Sequence, residues 1–183
     1  MRLIKLDEDG NVAYDNKLLT FDAFLTLWQR DKTPNKEEAI KEISFVYLIT
    51  SMNEDNQFRE YGSAERIRVV SKVVFGKQVD YSKDADISKA IETMLELDKS
   101  FSKDYLRSTI GRVDKLKSHL DDIDLNERDN NGKLVHNAKQ YHDILVKQID
   151  LIKSLKEAIK MVDSEGIDSD AKIRGNARRE LDI

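Results

Sequence analysis

The spacing of hydrophobic positions changes near residue 20. Before it, Leu3-Ile4-Lys5-Leu6 and Asn11-Val12-Ala13-Tyr14 flank Asp9-Gly10, a dipeptide suited to a tight hairpin turn. Residues 1–19 are therefore predicted to form a small β-hairpin arm. Two strands alone are marginal in water, so the arm must lean on a body or a partner. From Thr20 the period is helical. Thr20 is placed to cap a helix carrying Phe21, Phe24, Leu25 and Trp28, which Asp31-Lys32-Thr33-Pro34 ends because the residue before proline disfavours helix. Thr33 as N-cap, Pro34 at the first helical position and Glu37-Glu38 in the first turn start the next helix, which is expected to reach about Met52. Its Phe45-Val46-Tyr47-Leu48-Ile49 stretch is apolar on every side and is predicted to be the centre of the core.

Asn53-Glu54-Asp55-Asn56-Gln57 reads as a polar loop, and Phe58 and Tyr61 as rings folded back on the core. Ser63 is expected to cap a short helix with Ile67, Val70, Val73 and Val74 inward, closed by Gly76 in a left-handed conformation. A further helix from about Asp86 to Asp98 presents Ile87, Ile91, Met94 and Leu95. Two long helices follow. The first, Ser100 to Leu120, carries Phe101, Leu106, Ile110, Val113, Leu116 and Leu120. In the second, Leu134 to Val162, Ala138, Leu145, Ile152 and Ile159 recur every heptad, with Tyr141, Gln148, Leu155 and Val162 in the second seam position. At 1.5 Å per residue this second helix is a rod of roughly 43 Å. The polar connector Asp121 to Gly132 folds the pair into a long antiparallel hairpin over residues 100–162. In the last segment, 164–183, Ile167, Ile173, Leu181 and Ile183 are too sparse for a core, so an extended C-terminal tail is expected, disordered or weakly helical when alone. The fold class is all-α: a helical bundle (20–163) with a long antiparallel helical hairpin and a small N-terminal β-hairpin arm.

Composition narrows the range of functions. Thirty-one basic against thirty-five acidic residues give a formal charge of -4, so no global positive field draws the chain to nucleic acid and any DNA contact needs a local patch. With no cysteine, disulfide frameworks and thiolate metal sites are ruled out. No apolar run approaches the ~18 residues of a membrane span. The acidic Asp7-Glu8-Asp9 arrives before any signal-peptide core develops, which points to a chain made and kept in the cytoplasm.

Catalytic and cofactor patterns do not emerge. His119, His136 and His142 lack the spacings that put two metal ligands on one helix face. Glu127-x-Asp129-x-Asn131-Gly132-x-Leu134 imitates the front of an EF-hand loop, but Ala138 stands where its closing carboxylate belongs, so a capped turn is the better reading. None of the glycine-rich phosphate loops or nucleophile elbows occurs. The expectation is no enzyme, no metal and no cofactor. The alternative is a DNA-binding or regulatory helical protein, in which Ser63 to Phe75 and Asp86 to Asp98 would be a helix-turn-helix. The connector Gly76 to Ala85 is too long for that motif, and the would-be recognition helix holds Asp86, Glu92, Glu96 and Asp98 against Lys89 alone.

The block Thr20-Phe-Asp-Ala-Phe-Leu-Thr-Leu-Trp28, with Thr33-Pro-Asn-Lys-Glu-Glu-Ala-Ile40, Phe45-Val-Tyr-Leu-Ile-Thr50 and Glu65-Arg-Ile-Arg-Val-Val-Ser-Lys-Val-Val-Phe-Gly76, resembles virion proteins of tailed bacteriophages. More narrowly, it is similar to head-to-tail connector proteins of crAss-like phages, over about residues 20–76. The resemblance implies a small helical portal adaptor, assembled in the host bacterial cytoplasm and carried in the virion. Such proteins form a ring, usually of twelve subunits, between the portal protein and the next tail ring or tail protein, while DNA passes through the channel without sequence-specific contact. Another non-enzymatic phage structural role is the neighbouring alternative. The tail is then the expected partner-binding segment, with Ile173, Leu181 and Ile183 as apolar anchors and Arg174, Arg178 and Arg179 to pair with carboxylates.

Overall fold

The computed structural model describes residues 3–6, 12–124, 126–135 and 138–181, the last stretch by backbone alone at 138 and 166–181. It is 68% helical, with six helices and a two-stranded antiparallel sheet, and so has the mostly helical character predicted. The chain divides into two compact units, Met1–Ser100 and Phe101–Ile183.

In the first unit, β1 (Ile4–Leu6) pairs with β2 (Val12–Tyr14) in the register Ile4 to Tyr14 and Leu6 to Val12. The expected Asp9-Gly10 turn lies outside the described residues. A 3-10 turn (Asn16–Thr20) leads into α1 (Asp22–Arg30), followed by α2 (Glu37–Thr50), α3 (Ser63–Phe75), a second 3-10 turn (Tyr81–Lys83) and α4 (Ala85–Leu97). The core gathers Ile4, Leu18, Phe24, Leu27, Ile43, Val70, Ile87 and Met94 around Phe45, Val46 and Tyr47. The run that is apolar all round is thus the buried centre of this unit, as predicted.

Four local expectations are corrected. Ser63 does not cap α3: it is the first residue of the helix, behind Gly62 at the cap, and no side-chain capping bond forms there. Thr20 does not cap α1: its hydroxyl donates back to the Lys17 carbonyl at 2.8 Å, and Phe21 occupies the cap without a side-chain bond. The start of α2 is displaced to Glu37, with Lys36 in the left-handed region at φ 55. Val73, expected inward, is 61% exposed. Arg66 and Val70, one turn apart, set the buried phase of α3 instead, and the helix ends at Gly76 with φ 69 as expected.

The true cap of α2 comes from further back. Asp31 is buried; one carboxylate oxygen accepts the Ala39 amide at 2.9 Å, the other accepts the Thr33 amide at 2.7 Å, and the Thr33 hydroxyl accepts the Glu37 amide at 3.0 Å. Together they satisfy amides that a helix start leaves without internal partners. Burial works to raise the Asp31 pKa, but bonds from the Ala39 and Thr33 amides, the Thr33 hydroxyl and the Glu38 amide outweigh it and hold the carboxyl at about 2. A carboxyl depressed in the fold contributes stability above its ordinary value of 3.8 and loses it as pH falls through about 2. Urea midpoints of the native chain and Asp31→Asn should therefore differ most near neutrality and converge toward pH 2. A gap that stays constant across that window would refute this account of the cap.

The second unit contains α5 (Phe101–Asp121) and α6 (Ala138–Leu181), which contact each other. Phe101 is not a core residue: it is 77% exposed and stacks on Tyr105 at 6.4 Å, while Ser102, Leu106, Thr109 and Ile110 are buried. The backbone of 164–181 is helical, a correction to the extended tail expected there. Extending a formed helix avoids the cost of nucleation, and this stretch has no proline and several strong helix formers, among them Ala171, Lys172, Arg174 and Arg178.

Candidate interaction surface

The polar chemistry of the first unit is structural. Arg30, at the end of α1, reaches Glu42 on α2 at 2.6 Å, Asp84 at 2.9 Å and Asp86 on α4 at 3.0 Å, tying three helices together. Asp84 also accepts the Asp86 and Ile87 amides, capping α4. The Arg30 hydrogen bond holds the Asp84 carboxyl below its ordinary range, whereas burial pushes Glu42 up in spite of the same guanidinium. Each of these carboxylates bonds to Arg30.

The buried guanidinium of Arg66 donates to the carbonyls of Ile49, Arg59 and Tyr61, closing the α2–α3 connection from within. Asn56 does the same from the loop side. Its amide nitrogen donates to the carbonyls of Leu48 at 2.9 Å and Ser51 at 2.8 Å, while its oxygen accepts the Phe58 amide at 3.0 Å. Asp55 accepts the Tyr47 hydroxyl at 2.9 Å and the Leu6 amide at 3.3 Å, so this loop also anchors β1.

The EF-hand look-alike is a tight turn. Asp129 Oδ1 accepts the amides of Asn131 and Lys133, the Gly132 amide returns to the Asp129 carbonyl, and Gly132 sits at φ 76. Arg128 and Leu134 bridge across it, closing the turn within the polar connector. Its carboxylate is spent on backbone, and among the described residues no group of three or more His, Cys, Asp or Glu side chains is placed to hold a metal ion. His119 and His142 are exposed; His136 lies outside the described residues. For the helix-turn-helix reading, α3 and α4 are separated by 76–84 with a 3-10 turn inside, not by a tight corner.

The predicted partner-binding residues Ile173, Arg174, Arg178, Arg179 and Leu181 fall on the backbone of α6, with Arg174, Arg178 and Leu181 at i, i+4 and i+7 of one helix. Their side chains, and Ile183 entirely, lie outside the described residues. Upstream on α6 the side chains are described, and the phase differs from the expected seam. Tyr141, Gln148, Leu155 and Val162 are half-buried or buried, as the second seam position requires. In the other position the less exposed row is Ile144, Leu151 and Ala158. Leu145 and Ile152, predicted for it, are 36% and 41% exposed, beside Val146 at 44% and Ile149 at 56%. A run with apolar residues at 144, 145, 146, 149, 151 and 152 is too wide for one seam, and that width was the available signal. Among the described helices, none is long and apolar enough to cross a membrane. Compared with known proteins, the chain matches no family model, no curated protein and no solved structure.

Proposed function

We propose that this protein is a non-enzymatic structural subunit that acts by assembly: a virion protein forming a portal-adaptor ring in the head-to-tail connector of a tailed bacteriophage, around the DNA channel. The observation that carries the reading is the exposed apolar row on α6, Leu145, Val146, Ile149 and Ile152, on a helix of 44 residues. Single exposed apolar side chains are ordinary; a row of them along one helix favours a macromolecular partner. In this reading α5 and α6 form a long antiparallel hairpin. The bond from the Ser102 hydroxyl, in the first turn of α5, to Glu165 Oε1 at 2.5 Å supports it, as does the turn-forming connector. The C-terminal end of α6, with Ile173, Arg174, Arg178, Arg179 and Leu181, docks on the portal, and DNA passes without base-specific contact.

Native mass measurement tests this. The purified chain, alone or with a candidate portal protein, should give a species many times the 21.2 kDa of one subunit. Deleting residues 166–183 should leave the thermal midpoint of the subunit nearly unchanged and abolish portal docking, because the described buried residues all lie before that stretch. A chain that never exceeds a monomer with any portal, or one whose truncation docks normally, sinks the reading.

A further inference from the structure

The exposed row lies one residue beyond a less exposed one: Leu145 follows Ile144, Ile149 follows Gln148 and Ile152 follows Leu151, and the half-buried Ile159 continues it after the buried Ala158. One residue is about 100° round a helix, so α6 carries two 3-4 seams on adjacent faces. That is the pattern of a corner helix in a four-helix bundle, where each helix meets two neighbours. Among the described residues the second unit contains just α5 besides α6, and the second seam has no helical neighbour there within its own unit.

The charges beside the second seam indicate what covers it. On its outer flank Lys153 and Lys160 stand one heptad apart, and the next row round is acidic, with Asp143, Asp150 and Glu157 also at heptad spacing; all five are exposed. An antiparallel pairing of two identical helices sets each flank against itself, so a flank with a basic row and an acidic row side by side is self-complementary. With the dyad near Leu151, Lys153 faces Asp150 of the second copy and Lys160 faces Asp143 of the second copy, each pair occurring twice. Ile149 lies against Ile152 of the second copy, and Leu145 against the aliphatic stem of its Lys156. A parallel, in-register pairing would instead bury Lys156 against its own equivalent.

We infer that the Leu145–Ile149–Ile152 face of α6 binds a second copy of this chain, antiparallel, through an isologous contact. The Lys153–Asp150 pair seen within one helix at 3.3 Å has both side chains 69% exposed, so it can exchange into that contact. A dyad contact does not by itself close a cyclic ring, so this inference and the ring, which both draw on the exposed row of α6, are tested separately.

The chain has no cysteine, which makes cross-linking clean. Full-length single variants Ile149→Cys and Ile152→Cys, mixed and mildly oxidised, should form a covalent heterodimer of twice 21.2 kDa. Leu145→Cys should not cross-link to itself, since antiparallel pairing separates the two copies of that position by about 18 Å along the axis. Ile149→Glu replaces an already exposed side chain, so the helical circular-dichroism signal should be unchanged while dimerisation weakens by about 100-fold or more. Lys153→Glu should weaken it about tenfold, and adding Asp150→Lys should restore it. Self-cross-linking of Leu145→Cys as efficient as the Ile149–Ile152 pair, or a monomer at every concentration, overturns the inference. A large ring with no Ile149–Ile152 cross-link overturns it while supporting the ring; a cross-linked dimer that never forms larger species supports it and counts against the ring.

Discussion

Phe45→Ala should lower the unfolding free energy of the first unit by about 3 to 5 kcal/mol. The ring is fully buried and lies 5.4 Å from Phe75 on α3 and 5.7 Å from Tyr81 in the 3-10 turn before α4. Removing it takes away apolar area and also leaves a space that α2 cannot close, because Val46 and Tyr47, the next two residues of the helix, are themselves fully buried. Domains of this size have about 5 to 15 kcal/mol in hand, so the loss is a large part of the total. Trp28, the single tryptophan, belongs to the same unit and reports its unfolding by fluorescence. The matching control is Val73→Ala on α3 of the same unit, which trims a side chain that is 61% exposed and should shift stability by about 0.5 kcal/mol at most. Equal effects of the two substitutions on the Trp28 transition would contradict the packing described.

Asn56→Ala should cost about 3 kcal/mol, more than its place in a run of five polar residues suggests. The side chain is buried and makes three hydrogen bonds to backbone, so truncation leaves the Leu48 and Ser51 carbonyls and the Phe58 amide without those partners. An orphaned buried polar group keeps its full desolvation penalty, which is why the loss exceeds that of three ordinary surface bonds. Hydrogen exchange at the Phe58 amide should accelerate selectively before global unfolding, since the loop opens first. Gln57→Ala, next along the chain and exposed, is the comparison. If both substitutions move the urea midpoint alike, Asn56 is not the organiser of this loop.

Helix positions in this chain were readable from sequence because apolar spacing and breakers are local. The run Phe45 to Ile49 announced its burial by being apolar on all sides, Gly76 marked the end of α3, and the two short apolar segments on either side of Asp9-Gly10 marked two strands. Cap assignments were less readable. Thr20 and Thr33 have the chemistry of caps, yet Thr20 serves the preceding turn, and the α2 start depends on Asp31, eight residues before the amide of Ala39 that it accepts. Any Asp can cap; only the path of 31–37 brings this one back.

The interaction surface followed the same division. Periodicity identified α6 as a helix with heptad character, but an apolar stripe this wide is consistent with more than one seam, and neighbouring residues compete for the same partner. Packing chose Ile144, Leu151 and Ala158 and left Leu145, Ile149 and Ile152 outward. Likewise Asn56 and Arg66 were indistinguishable from solvated loop and helix residues until the chain ends of α2 and α3 converged on them. The sequence alone determined which segments are helical and where apolar residues suffice for a core, because those depend on neighbours within a turn or two. Tertiary structure decided which face is buried and which polar groups are caged, because these depend on backbone carbonyls and amides brought close by the fold.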